Sequence, residues 1–386
     1  MTAILNVPSA GSQGGLSAAD EPCVSRRGIL NNALGLAACA LLPPVLATPA
    51  SAQGASAQGV GPRGAAAPDT SGGVATAALP VRSGPDPGTW LLLLGTRGGP
   101  GIDINHSQTA SAVVVDGRRY LIDCGYGAVR QLVASNVGYL QISTVFFTHL
   151  HDDHTGDLAA LLSYQWTNGK TTATDAYGPY GTAHLIEAAV SLMQTNVEIR
   201  TVDEGRTVDP RRQFHGHDSP ASATPVQMFK DDRVRVTAVE NTHYPQRSKA
   251  RMPYRSLALR MDTQQRSLVF CGDTAYSANV VGLARGADLF VCEVIDPTVL
   301  ELMRERAAAA AASGNPNNIF RHVADTHSSP ADVARMASEA KVKTVVLNHQ
   351  VPGPAGSIGY PVTGFIDAVR KGFNGEVIVG QDLMVL

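Results

Sequence analysis

Eleven consecutive residues, Phe147-Thr148-His149-Leu150-His151-Asp152-Asp153-His154-Thr155-Gly156-Asp157, constrain this chain more than any other stretch. They hold three histidines and three aspartates and follow the mostly apolar run Ile142 to Phe147. Imidazole and carboxylate are the ligands that borderline divalent metals such as zinc prefer. The pattern predicts a strand ending at Phe147, a loop from which His149 and His151 project, and a helix opened by Asp153 and His154. Two ligand pairs facing different ways suit two neighbouring metals better than one.

The 386 residues are ample for a buried core, and a net charge of −2 argues against a strongly basic nucleic-acid binder. Residues 1–52 predict a twin-arginine-type signal peptide, in which Ser25-Arg26-Arg27-Gly28-Ile29-Leu30 precedes a run rich in Ala and Leu. Ala50-Ser51-Ala52 then supplies the small-x-small pattern expected before cleavage. Asn31, Asn32, Pro43 and Pro44 interrupt the run, so no transmembrane span is expected in the mature protein. The expected location is periplasmic or secreted, with the twin-arginine export machinery as a partner. A lipid anchor at Cys39, within Leu36-Ala37-Ala38-Cys39, is the minor alternative. Residues 53–87, dominated by Gly, Ala, Ser and Pro, cannot bury enough apolar surface to offset their ordering entropy and read as a disordered linker. Cys124, Cys271 and Cys292 sit in or beside apolar runs and imply no disulfide framework.

Residues 88–386 carry the folded domain. Apolar runs flanking Asp116-Gly117 predict a hairpin. Further strands are expected at Trp90 to Leu94, Val234 to Glu240, Ser256 to Met261, Ser267 to Phe270, Asp288 to Val294, Thr344 to Leu347 and Glu376 to Val379. Helices are expected at Leu158 to Trp166, His184 to Met193, Pro297 to Ala312, Pro330 to Glu339 and Gly364 to Lys371. Tyr177 to Gly181 reads as a turn, and residues 209–224 as a polar loop with solvated His215 and His217. His106, His184 and His322 have no ligand-like neighbours in the sequence. Hairpin-rich strand runs with helices between them suit an α/β fold of two packed sheets covered by helices.

The histidine stretch resembles the Thr-His-x-His-x-Asp-His signature of the metallo-β-lactamase superfamily. That resemblance implies an αββα sandwich, two mixed sheets flanked by helices. It also picks out Asn241-Thr242-His243, Cys271-Gly272-Asp273-Thr274 and Leu347-Asn348-His349, each just after an expected strand. By resemblance His149, His151 and His243 hold one metal, Asp153, His154 and His349 hold the other, and Asp273 bridges them. Two divalent ions are the implied cofactors, zinc by default, with manganese or iron also compatible with a bridging carboxylate. Asp153, a ligand, is also the group expected to orient a metal-activated water and accept its proton.

The zinc β-lactamases carry a cysteine at the bridging position, whereas ribonuclease Z and related phosphodiesterases and arylsulfatases carry Gly-Asp-Thr, as here. Leu94-Gly95-Thr96-Arg97-Gly98-Gly99-Pro100 and Leu121-Ile122-Asp123-Cys124-Gly125-Tyr126-Gly127 resemble the same branch, with Tyr126 in place of its glutamate. Asp325-Thr326-His327-Ser328-Ser329-Pro330 resembles the segment that supplies a leaving-group histidine, so His327 is the expected general acid. Ser328 or Ser329 would cap the helix begun by Pro330, and Glu293 would orient His327. Only 30 residues separate His243 from Asp273, too few for the transfer-RNA-gripping arm of ribonuclease Z. The expected function is therefore an exported two-metal hydrolase of a small-molecule ester: phosphodiester first, then sulfate ester, carboxyl ester or lactone. Nucleic acid is not the expected partner. A ribonuclease Z-like transfer-RNA endonuclease, a β-lactamase and a non-catalytic metal-containing binding protein are the alternatives.

Overall fold

The structure, a computed structural model, describes residues 87–315, 318–351 and 362–386. The expected signal peptide, Cys39 and the linker up to residue 86 lie outside the described residues. Among the described residues, thirteen strands form two sheets. The first contains β1 (Thr89–Gly95), β2 (Ala110–Val115), β3 (Arg118–Ile122), β4 (Thr144–Phe146), β5 (Thr174–Pro179) and β6 (Phe214–Ser219) in chain order. Its first three strands are antiparallel neighbours, and β3 to β6 run parallel. The second sheet runs β7 (Val226–Lys230), β8 (Arg235–Glu240), β9 (Leu257–Asp262), β10 (Ser267–Phe270), β11 (Leu289–Ile295), β12 (Thr344–Val351) and β13 (Glu376–Val379). It is antiparallel as far as β10 and parallel beyond. Both sheets are mixed.

Local chemistry explains the junctions. The β2–β3 hairpin turns on Asp116 and Gly117, both at positive φ (46° and 81°), the geometry that matches strand twist across a two-residue loop. Along β1 the side chains alternate between two cores. Leu91 and Leu93 pack between the sheets with Phe146, Leu259 and Phe270. Trp90, Leu92 and Leu94 pack outward with Leu132, Leu161 and Ile186, under the helices Ala128–Ala134, Leu158–Thr167 and Thr182–Leu192. A third core sits beneath the helices Ala278–Leu283, Pro330–Ala340 and Val362–Arg370 on the far face of the second sheet. Helices on both outer faces explain why strands such as Thr89–Gly95 are apolar on both sides. The free edge of β1 is covered by the C-terminal residues, with Leu91 N and Leu386 N bonded to each other's carbonyls at 2.9 and 2.8 Å. Leu92 is fully buried, so Leu92→Ala should cost about 2–5 kcal/mol. Urea unfolding checks this as a lower midpoint at unchanged slope.

Two expectations are corrected. Residues 214–219, read as loop, are strand β6, paired in register with β5, and His217 Nε2 lies 2.8 Å from Asp175 Oδ1. Tyr177 to Pro179, read as turn, belong to β5. The six residues Phe214 to Ser219 lie at the sheet edge, four of them polar and partly or fully exposed, so no apolar alternation marks them. Pairing with β5 decides their conformation. Strand β7 and the helices Gln194–Glu204, Gln246–Lys249, Ala278–Leu283 and Ile319–Thr326 have no counterpart among the expected elements.

Candidate metal centre

Each candidate ligand is carried on, or just past the end of, a strand or the short helix that follows β4. After β4 the chain is pinned by Asp123, whose carboxylate accepts from Thr148 N (2.8 Å) and Thr148 Oγ1 (2.9 Å). His149 follows in the loop, His151 is the N-cap of the short helix Asp152–Thr155, and Asp153 and His154 sit inside that helix. Past β8, Asn241 Nδ2 donates to the Cys271 carbonyl at 2.8 Å and its Oδ1 accepts from His243 N at 3.2 Å, which fixes His243. Gly272, at φ 61°, brings Asp273 in beyond β10, and a Cβ there would meet the Leu257 carbonyl oxygen at 2.8 Å. His349 occupies a bulge in β12: Glu293 pairs with Asn348 and Val294 with Gln350, leaving His349 extra at φ 40°. The bulge re-aims its ring at the cleft.

These residues converge as two clusters. In the first, His151 Nδ1 lies 3.1 Å from both His149 Nε2 and His243 Nε2. In the second, His349 Nε2 lies 3.2 Å from Asp153 Oδ2 and 3.1 Å from Asp273 Oδ1, and His154 Nε2 is 3.2 Å from that same Oδ1. Asp273 spans both, because its Oδ2 lies 3.9 Å from His149 Nε2 and 4.0 Å from His243 Nε2. All seven sequence-predicted positions are thus brought together.

The donor set fits two divalent ions. Three imidazole nitrogens meet at one point in the first cluster, where one shared proton satisfies a single contact but a cation satisfies all three. In the second, His154 Nε2 and Asp273 Oδ1 are buried and, although 3.2 Å apart, are not aligned in a hydrogen bond with each other or any other group, an unfavourable arrangement that a cation relieves. Burial pushes His149 and His243 well below the usual imidazole range, keeping their lone pairs available. Burial acts the same way on His154 and His349, yet Asp273 and its neighbouring carboxylates outweigh it and raise both. The carboxylates draw positive charge to this point, the demand an ion meets. Asp153 is buried, but His154 and His349 hold it ionised, well below the usual carboxylate range. Its Oδ2 also accepts from Gly99 N at 2.8 Å, an approach open only to glycine, since a Cβ there would sit 2.2 Å from that oxygen.

Behind the ligands stand two further carboxylates. Asp123 Oδ2 lies 2.9 Å from His154 Nδ1, fixing the proton on that nitrogen and freeing Nε2. Glu293 Oε2 lies 2.6 Å from His327 Nδ1, while its Oε1 accepts from Thr274 N. Ser329, not Ser328, caps the helix Pro330–Ala340, in a capping box with Asp332, and so fixes the segment that carries His327.

The profile of the family described as "Beta-lactamase superfamily domain" matches residues 118–350. The chain belongs to this superfamily. It is 30% identical to the ribonuclease Z of Mycobacterium avium (strain 104) over 301 residues, 76% of this chain and 96% of that protein. A ribonuclease Z of Mycolicibacterium paratuberculosis is 29% identical over the same shares. Among solved structures, the short form of human tRNase Z superposes at TM-score 0.55 with 21% identity, covering 77% of this chain and 98% of that one. The metallo-beta-lactamase fold protein YhfI of Bacillus subtilis gives 0.54 with 16% identity, covering 78% and 99%. Membership places this superfamily chain on the ribonuclease Z-like branch, with the metallo-β-lactamase sandwich, as a metal-dependent hydrolase of ester bonds.

For this superfamily member the sequence missed three supports. Asp123 has no role assigned from Leu121-Ile122-Asp123-Cys124 alone, although an aspartate one residue past an apolar strand is the available signal. The glycine pair Gly98-Gly99 packs against His349 and Asp153. His322, expected to have no ligand-like neighbour, lies with its ring 4.7 Å from His243, 5.7 Å from His151 and 6.0 Å from His327. The helix Ile319–Thr326 carries it there, and burial, with His327 and His151 nearby, pushes its pKa down to about 4. Tyr126 is half exposed and plays no part in either cluster. Asp123→Asn should weaken divalent-metal binding about 10–100-fold. Competition titration against a chromophoric chelator checks this, and unchanged affinity would refute the assignment.

Proposed function

We propose that the chain is an exported two-metal hydrolase of a small ester, a phosphodiester first, then a sulfate ester, carboxyl ester or lactone. His149, His151 and His243 would hold one ion and Asp153, His154 and His349 the other, zinc by default. The observation that carries the reading is the division of Asp273, one oxygen facing each cluster. Two ions held there would clamp the attacking and leaving oxygens and make water nucleophilic near neutral pH. Asp153, ionised and held by Gly99 N, is placed to orient the attacking water and take its proton. Glu293 fixes Nδ1 of His327, so Nε2 is the atom that gives a proton to the leaving oxygen.

The relatives' name supports a second reading, cleavage of RNA. Against it, residues 244–272 provide only the one-turn helix Gln246–Lys249 and strands β9 and β10, with no protruding arm. The Arg26-Arg27 segment supports export, which would separate the enzyme from transfer RNA. Metal-loaded protein should hydrolyse bis(p-nitrophenyl) phosphate faster than aryl sulfate, lactone or nitrocefin panels, and transfer RNA precursor should not be cut. Protein holding two metals but turning over none of the esters would overturn the reading.

A further inference from the structure

Beside the metal centre opens a cleft of about 760 Å³, walled by Arg247, Arg251, Met252 and Asn318, with His322 at its inner end. His322 separates it from the metal centre, its ring edge-on to His243 at 4.7 Å. The charges around this cleft do not balance. Arg247 (3.1 Å) and Arg321 (3.3 Å) share the single carboxylate of Asp325, and Lys249 (2.6 Å) and Arg255 (3.6 Å) share that of Glu240. No carboxylate among the described residues pairs with Arg251. Arg247 and Arg251 line the cleft itself, and together with the ion-paired neighbours five basic side chains are set against two acidic ones, in a protein whose overall charge is slightly negative. A larger cavity of about 960 Å³, lined by Ile104, Tyr126 and Asp382, contains none of the candidate ligands, so size alone does not identify the substrate side.

We infer that this cleft binds a second phosphate on the substrate, one not cleaved, so that the preferred substrate is a small phosphodiester carrying an additional phosphate monoester. The inference rests on the hydrolase reading above. Arginine suits the task, because its planar fork of donors matches phosphate oxygens. The cleft has room for a group of nucleotide size, and the modest charge excess fits one phosphate, not the tracked backbone of a polynucleotide. His322 is then a specificity-setting wall between the bound phosphate and the ester being cleaved.

Two p-nitrophenyl diesters differing only in that phosphate provide the test: thymidine 5′-(p-nitrophenyl phosphate), and the same compound bearing a 3′-phosphate. The metal-loaded full chain should prefer the 3′-phosphorylated ester by about tenfold or more in kcat/KM. The Arg247→Gln/Arg251→Gln variant should bring that ratio close to one. The ratio is internal to each protein, so a loss of folded enzyme cancels. Equal kcat/KM in the wild-type chain, or a preference that survives the double substitution, overturns the inference. Should neither ester be cleaved, the hydrolase reading has failed separately, and binding decides the cleft. Thymidine 3′,5′-bisphosphate should still bind about tenfold more tightly than thymidine 5′-phosphate by calorimetry, with the difference lost in the variant. Equal affinities would end the proposal.

Discussion

Asp273→Asn is expected to bind fewer than two ions per chain and to lose phosphodiester turnover by a factor on the order of 10³, since metal clamping contributes several kcal/mol and each ~1.4 kcal/mol is tenfold. The substitution keeps the shape of the side chain and removes one charge. In the native protein Oδ1 faces His154 and His349 while Oδ2 faces His149 and His243. An amide offers one oxygen and one NH₂, so one cluster would face donor hydrogens in place of a lone pair. The remaining anion of the second cluster is Asp153, and it cannot serve both sides. Metal analysis of purified protein and thermal melting with and without chelator give readouts independent of turnover. A bound ion stabilises the folded state by mass action, about 2.7 kcal/mol at a hundredfold excess over Kd. Chelator should therefore lower the melting temperature of the native chain more than that of the variant. Two ions per chain and native turnover in Asp273→Asn would refute the bridging role.

The ligand set was legible because it is local or strand-terminal. His149 to His154 lie within six residues of chain, and His243, Asp273 and His349 each follow a buried apolar run, the first two past the ends of β8 and β10 and His349 inside β12. Core strands such as β10 and β11 were legible for the same reason. What remained hidden depends on tertiary pairing. The bulge that turns His349 inward exists only through the register of β12 against β11. Strand β6 is polar because it lies at a sheet edge, and His322 becomes a neighbour of His243 only when the helix Ile319–Thr326 docks. Asp123 is a related case. Its motif was visible, but the 2.9 Å contact with His154 joins residues 31 positions apart, from the end of β3 to the helix Asp152–Thr155.

These hidden supports bear on the clefts as well as the ligands. Asp382 accepts from Thr96 N at 3.0 Å, Ser107 N at 2.7 Å and Gln131 Nε2 at 3.0 Å, and so ties the C-terminal segment to the loop that presents Gly99 to Asp153. The covering of the β1 edge and the placement of a candidate ligand are thus parts of one hydrogen-bonded unit.

His327→Gln should lower kcat by about 10²–10⁴-fold with little change in KM, the range for losing a positioned general acid. The deficit should depend on the leaving group. p-Nitrophenolate departs with little help from a proton, so its esters should lose least, and a diester of an aliphatic alcohol should lose most. The pairing with Glu293 adds a pH signature. Burial pushes His327 down, but the Glu293 carboxylate 2.6 Å from Nδ1 outweighs it and raises His327 above its ordinary value. Burial raises the Glu293 carboxyl above its ordinary value while the adjacent His327 pulls it back down, and the raised His327 is the group of the pair that carries the proton. An acid with a raised pKa stays protonated further into the alkaline range, and its activity is lost as pH rises through that value. Glu293→Gln removes the raising charge, so the alkaline limb of kcat/KM should move to lower pH while the variant still binds two ions. A loss equal for all leaving groups, with an unmoved alkaline limb, would make His327 a packing residue and leave the proton to be supplied by water.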